Sequence, residues 1–257
     1  MKKTLYILLT YIFTLNISFI GLAQQNNYKE GSPAWLVDMF FKQLQFPDKE
    51  NYLSGEMIKD LKNPTIGEEL NGKGNVVFKQ VESEGNKCVY RIYIGGSDKA
   101  ANFYCFMSDI SGNWKIEAIR KFQVPAFIYD AVDSLSQIGN LPDSVSSLLK
   151  SLKLIVGPDD DLQKYLMENI DNFYNLVGAF QNKATEKLNE LMGSLNMSSI
   201  FTDENYPKCI FVSITEFGRK ETGYIYCTNR ANLPQISPER FIYLENVLPN
   251  WFVFRAM

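Results

Sequence analysis

The alternation of hydrophobic and polar positions divides the chain into two stretches with the same order of elements. In the first, Trp35, Phe40 and Leu44 recur at helical spacing behind Ser32-Pro33, a capping residue followed by proline at the first helical position. A helix is predicted there, and the period then changes to two. Strands are predicted at 76–82, 88–94, 102–107 and 114–122. Because short glycine or asparagine turns separate them, they form an antiparallel meander.

The central hairpin of this predicted meander is apolar on both faces. Cys88 and Tyr90 share one face, which should cover the first helix. Val89, Tyr104 and Phe106 share the other face, which is too apolar to be left exposed to water.

The second stretch also places helices before strands. Apolar stripes that begin at Leu162 and Phe180 predict two helices. Strands are predicted at 209–216, 224–228, 240–245 and 251–255. The predicted fold class is therefore α+β, a tandem repeat of two modules that each pack N-terminal helices on a curved antiparallel β-meander. The first module covers 32–139 and the second 140–257, with the boundary inside a structured connector.

Four cysteines occupy matching places in the two predicted hairpins. A turn centred between Gly96 and Ser97 sets Cys88 opposite Cys105. In the second hairpin, a loop centred on Gly218 sets Cys209 opposite Cys227 and Glu216 opposite Lys220. Directly opposed residues lie at separations that a disulfide can span, so both pairs are predicted to be bridged. The alternative is that all four thiols stay free and pack as small apolar groups.

The first 23 residues have the pattern of a secretory signal peptide. Lys2-Lys3 precedes a mostly apolar run, and Gly21-Leu22-Ala23 supplies small residues for cleavage after Ala23. An uncleaved membrane anchor is the alternative, although polar residues interrupt the run. Residues 24–31 should be a flexible N-terminus, and no later segment is apolar enough to span a membrane. The protein is therefore expected to be periplasmic or secreted. Its mature net charge of −5 disfavours nucleic acid as a partner.

The absence of histidine excludes most familiar catalytic sites. Ser-His and Cys-His nucleophilic pairs and imidazole metal centres are ruled out. The cysteines lack the close spacing of a zinc site, and Asp159, Asp160 and Asp161 lack the alternation of a calcium loop; these acids fit a helix start better. No metal or cofactor is predicted.

Glycan hydrolysis by a pair of carboxylates remains open, because it needs no histidine. Seven acids lie on or near predicted strands, and nothing in the sequence singles out a pair. They are Glu82, Glu84, Asp109, Glu117, Glu216, Glu221 and Glu245.

Aromatic residues are the remaining candidates for function. The ones predicted to bind a ligand are Tyr90, Tyr93, Tyr104, Trp114, Tyr224, Tyr226 and Trp251. The alternative is that they only fill the core. The sequence therefore favours a non-catalytic binding or interaction protein that uses an aromatic-rich sheet surface or a pocket. Its partner would be a small apolar or glycan ligand, or another protein, and homodimerisation is a further possibility.

Helices followed by a curved meander whose last strand opens with Asn113-Trp114-Lys115-Ile116-Glu117 resemble the nuclear-transport-factor-two-like (cystatin-like cone) superfamily. The resemblance covers 32–122 and, more loosely, 159–257. It implies a pocket or a dimer surface. The Asp–His pairs of the dehydratase-type members have no counterpart in this sequence, so the resemblance does not imply catalysis.

Overall fold

A computed structural model describes residues 28–96, 101–217 and 220–257. The predicted signal peptide and residues 24–27 lie outside this part of the chain. The elements of the first half are α1 (Pro33–Phe41), 3-10 turns at Lys49–Asn51 and Gly55–Asp60, α2 (Ile66–Leu70), β1 (Asn75–Glu84), β2 (Lys87–Gly95), β3 (Ala101–Ile110) and β4 (Asn113–Phe122).

The second half begins with five helices and ends with five strands. Its elements are α3 (Ala126–Ser136), α4 (Asp143–Val156), α5 (Asp159–Glu168), α6 (Ile170–Gln181), α7 (Thr185–Ser194), β5 (Ser199–Asp203), β6 (Tyr206–Phe217), β7 (Lys220–Cys227), a 3-10 turn at Arg230–Asn232, β8 (Phe241–Leu248) and β9 (Trp251–Ala256). The α+β class predicted from the sequence is confirmed.

The first helix begins where its capping signal predicts. Ser32 Oγ accepts a hydrogen bond from the Trp35 amide at 3.3 Å, and Pro33 occupies the first turn, where its missing N–H costs nothing. The buried side of α1 carries Leu36, Val37 and Phe41. These residues pack on the first sheet.

The first sheet is an antiparallel meander with strand order β1-β2-β3-β4. One face carries Cys88, Tyr90 and Ile92 and packs in a common cluster with Leu36 and Phe41 of α1. The predicted cover of this face by the first helix is therefore confirmed. The opposite face faces the second half of the chain.

The second sheet has strand order β5-β6-β7-β9-β8, so it is not the simple meander that the sequence predicted. The long connection after β7 leads to β8 at the edge of the sheet. β9 then lies between β7 and β8 and pairs with both. One face of this sheet packs on helices, and the other is covered by the 230–239 segment. Tyr224 and Trp251 lie on the first face, and Phe252 and Phe254 on the second.

One hydrophobic cluster joins the two halves. Val89, Tyr104 and Phe106 of the first sheet share it with Phe173 of α6 and Trp251 of β9. The second apolar face of the first sheet is thus covered by the helices and strands that follow it. The two sheets are separate, but they are built around a shared core.

The register of the first hairpin differs from the prediction. Cys88 pairs with Met107, and Cys105 pairs with Tyr90, so the two cysteines are diagonal rather than opposite. A shift of two residues leaves every side chain on the same face, because side chains alternate with period two. The hydrophobic pattern therefore cannot distinguish the two registers.

The second hairpin pairs Cys209 with Cys227 as predicted. Further along, an irregularity between Ser213 and Thr215 adds one residue to β6. Glu216 consequently lies opposite Glu221, and the predicted pairing of Glu216 with Lys220 is wrong.

Candidate functional site

The predicted ligand-binding aromatics lie mostly inside the protein. Tyr90, Tyr104, Tyr224 and Trp251 are buried, and Trp114 and Tyr226 are partly buried against the hydrophobic clusters. The Tyr224 hydroxyl donates to the Leu162 carbonyl at 3.2 Å. Only Tyr93 lines a described hollow. The structure thus places this set mainly in core packing rather than around one opening.

A second aromatic group, which the sequence reasoning missed, lies on the other face of the second sheet. Phenylalanines form most of this group, together with Tyr206, and the ring centroids of Phe211 and Phe254 are 5.7 Å apart. Phe252 belongs to the same cluster. Alternation along β9 was the available signal, since Trp251 and Val253 face the helices while Phe252 and Phe254 face away from them.

A buried ionic network joins the halves at the start of α5. Arg255 Nε donates to Asp159 Oδ1 at 2.7 Å, and the Tyr104 hydroxyl contacts the two carboxylate oxygens at 3.1 and 3.0 Å. Asp159 and Arg255 are 1% and 0% exposed, so neither charge is solvated. Burial, and secondarily the charge of Asp159, raises the pKa of Tyr104 well above its ordinary value. Tyr104 therefore stays protonated and acts as a donor.

Arg255 is also held by groups other than the carboxylate. It donates to the carbonyls of Ile155 at 2.8 Å and Gly157 at 3.2 Å, and its guanidinium lies 4.6 Å from the centre of the Phe122 ring. The acidic run that the sequence assigned to a helix start does lie in the first turn of α5. A single arginine within the otherwise apolar strand Trp251–Ala256 was the signal that one of these acids has a buried partner.

Salt bridges extend this contact between the halves toward the surface. Arg91 pairs with Asp160 at 2.5 Å and lies 3.4 Å from Glu245, and Lys79 pairs with Glu245 at 2.6 Å. Beside them is a hollow of about 250 Å³ that Tyr93 lines. Glu245, one of the candidate catalytic acids, is thus a partner in ion pairs between the halves.

A cleft of about 1040 Å³ lies between the two halves. The end of the β1–β2 hairpin forms one wall, and the segment 230–239 with β8 and β9 forms the other. Its apolar lining includes Val89 and Phe106 from the first sheet and Leu244 and Phe252 from the second. Both halves are needed to form it.

Charged residues surround the apolar lining of the cleft. The acids are Glu82, Glu84, Glu117 and Glu239, and the bases are Lys87 and Arg230. Ser108 Oγ donates to Glu117 Oε1 at 2.5 Å. Burial and the charge of Glu84 raise the pKa of Glu82, and Arg230 only partly opposes this. The cleft therefore carries more negative charge than its own cations neutralise.

The cleft brings together three of the seven candidate acids, Glu82, Glu84 and Glu117. Asp109, Glu221 and Glu245 do not line it, and the Glu216 side chain lies outside the described part of the structure. Sequence alone could not choose these three, because the choice depends on how the second half packs against the first sheet.

The four cysteines are unbonded thiols in the structure. Cys209 Sγ and Cys227 Sγ are 2.7 Å apart, and they donate to the carbonyls of Asn232 and Asn229, each at 3.3 Å. Asn229 caps the 3-10 turn Arg230–Asn232, and Asn232 ends it; this turn begins the outer wall of the cleft. Burial raises the pKa of Cys88 to about 12.

In the described residues, no group of three or more Cys, Asp or Glu side chains is placed to hold a metal ion. No helix among them is both long and apolar enough to cross a membrane. Comparisons with protein-family models, with curated proteins and with solved structures find no match to the chain.

Proposed function

We propose that the chain is an exported, non-catalytic binding protein whose ligand occupies the cleft between its two halves. The carrying observation is the cleft itself, which is about 1040 Å³ in volume and lined by apolar and charged groups from both halves. Ligand sites are concave and use polar groups to orient the ligand. This cleft is concave and offers both kinds of surface, with more polar than apolar surface exposed in its lining.

Tyr104 and Cys105 are buried outside the cleft and are not available as nucleophiles. Burial raises the pKa of Tyr104 and of Cys105 well above their ordinary values. Both groups are therefore neutral, and a neutral buried thiol is a poor nucleophile.

Blocking the cleft tests this function. Ala231 lies in the outer wall and is exposed, so Ala231→Trp should fill space in the cleft without disturbing the core. Ala184→Trp, at an exposed alanine outside the cleft, is the matched control. A panel of glycans, apolar small molecules and peptides is screened by thermal shift, since a ligand at 100 times its Kd adds about 2.7 kcal/mol of stability. We expect ligands to stabilise the parent and the control but not Ala231→Trp; equal stabilisation of all three contradicts the proposal.

A histidine-free glycan hydrolase is the second candidate. Glu82 and Glu117 line the same cleft in different surroundings, and the raised pKa of Glu82 suits a general acid. Release of reducing sugar from a glycan panel, lost in both Glu82→Gln and Glu117→Gln, would support it. Activity that persists in both variants, or no activity in the parent, removes it.

Export and bridging of Cys209 with Cys227 belong to the same proposal. Signal-peptide cleavage should leave Gln24 as the first residue of protein recovered from the periplasm or medium, and N-terminal sequencing tests this. Protein retained in the cytoplasm with Met1 in place would contradict export. Light scattering tests the homodimer that the superfamily resemblance implies as an alternative.

A further inference from the structure

We infer that the ligand of the cleft is an extended polypeptide segment in which basic residues alternate with apolar ones. This inference rests on the proposed binding function and specifies its ligand. It combines the charge balance of the cleft, the position of its apolar lining and the identity of its edge strands.

The charge balance favours a cationic ligand. Glu82 and Glu84 lie two residues apart on β1, and their mutual repulsion helps to raise the pKa of Glu82. Arg230 across the cleft and Lys87, opposite Glu84 on β2, offset only part of this field, because four acids line the cleft with two bases. The Arg230 guanidinium lies 5.8 Å from the Phe252 ring centre. A lysine or arginine of a ligand would complete the neutralisation that the protein leaves partial.

The apolar lining favours a ligand with hydrophobic groups as well. Val89 and Phe106 lie on the same face of the first sheet as Glu82, so carboxylates and apolar side chains are neighbours along one wall. Leu244 and Phe252 form apolar surface on the other wall. A small polycation such as a polyamine would leave this surface unused.

The edge strands favour an extended chain over a compact molecule. β1 and β8 are the outermost strands of their sheets, and both line the cleft. An outer strand presents backbone N–H and C=O groups on its unpaired edge, which an extended peptide can use. The register shift between Gln80 and Glu82, together with the negative charge of β1, disfavours pairing of this edge with an unrelated strand. A segment with complementary positive charge would meet less of that opposition.

Synthetic peptides of equal length test the inference. A fluorescein-labelled octapeptide alternating lysine with valine is compared with its glutamate–valine and glutamine–valine counterparts by anisotropy, at 20 and 200 mM NaCl. We expect the lysine peptide to bind most tightly and to weaken at the higher salt concentration. The double variant E82Q/E84Q should bind it about fivefold more weakly, as expected for loss of two exposed ion pairs. The control E186Q/E204Q, at exposed acids outside the cleft, should bind as the parent does.

The possible failures are distinguishable. Equal affinity for the lysine and glutamate peptides, or an equal loss of affinity in the control variant, overturns the inference. If a neutral glycan or small molecule binds in the parent but not in Ala231→Trp, while the lysine peptide does not bind, the ligand class is wrong and the binding function stands. If Ala231→Trp changes the binding of no ligand, both proposals fail.

Discussion

Removing the Asp159 carboxylate is expected to destabilise the protein more than most single substitutions. Asp159→Ala leaves the guanidinium of Arg255, which is 0% exposed, without a counter-charge, and it removes the acceptor of the Tyr104 hydroxyl. Breaking a buried ion pair from one side costs about 3 to 5 kcal/mol, because the remaining charge is neither solvated nor paired. The hydrogen bonds from Arg255 to the Ile155 and Gly157 carbonyls persist in the variant, so the loss of stability should not exceed the upper end of this range.

Urea unfolding followed by tryptophan fluorescence measures this cost. With an m value of about 2.5 kcal/mol/M, a loss of 3 to 5 kcal/mol lowers the midpoint by about 1.2 to 2 M. Trp35 and Trp114 lie in the first half of the chain and Trp251 in the second. A Trp251→Phe background therefore reports on the first half, and a background with both Trp35→Phe and Trp114→Phe reports on the second. Because the halves share a core, both backgrounds should give one coincident transition.

A control variant and a double variant test whether the buried ion pair is the cause of the lost stability. Glu168→Ala removes an exposed salt bridge of 3.8 Å to Lys164 and should change stability by less than about 0.5 kcal/mol. Asp159→Leu combined with Arg255→Met replaces the pair by apolar groups and should cost less than either single change. A cost below about 1 kcal/mol for Asp159→Ala, or strictly additive costs in the double variant, would show that the network does not hold the halves together.

Three further predictions concern the hairpins, the cleft and the thiols. Gly223→Ala would place its Cβ 2.1 Å from the Val212 carbonyl oxygen and should lower the free energy of unfolding in urea by about 2 to 3 kcal/mol. Gly178→Ala, with open space around it on α6, is the control and should raise the free energy of unfolding by about 0.5 kcal/mol. Equal effects of the two substitutions would contradict the close approach of β6 and β7 at Gly223. The pKa of Glu82 is raised in the folded state, so the folded state binds the proton more tightly than the unfolded state does. Stability is therefore lost as pH rises from the unfolded pKa of 4.5 through the folded pKa, and Glu82→Gln should raise the urea midpoint at pH 7 with little effect near pH 4. A larger gain at pH 4 than at pH 7 would contradict the raised pKa. Burial of all four cysteines should prevent native protein from reacting with a thiol reagent, and denatured, unreduced protein should show two thiols; four would disprove the bridge between Cys209 and Cys227.

The helices and strands were largely predictable because each half has a clear hydrophobic period. The register of the first hairpin was not, because pairing Cys88 with Cys105 or with Met107 leads to the same two faces. The β9 position between β7 and β8 was also hidden, since a local pattern does not say which strand a long connection skips.

The candidate site was less predictable than the fold. The ligand-binding residues predicted from the sequence were tyrosines and tryptophans, yet the Tyr104 and Tyr224 hydroxyls bond to partners inside the core. The acids of the cleft were visible individually in the sequence. Their assembly depends on contacts between residues more than 100 positions apart, for which no short-range signal exists.

The position of β9 also limits the order in which the polypeptide can acquire its structure. β9 follows every other described element in the sequence, yet it supplies Arg255 to Asp159 and separates β7 from β8. Before β9 is synthesised, the sheet face that carries Tyr104 is incompletely covered and exposes hydrophobic surface to water. A nascent or truncated chain lacking this strand should therefore require a chaperone to avoid aggregation, even though its first sheet is already complete.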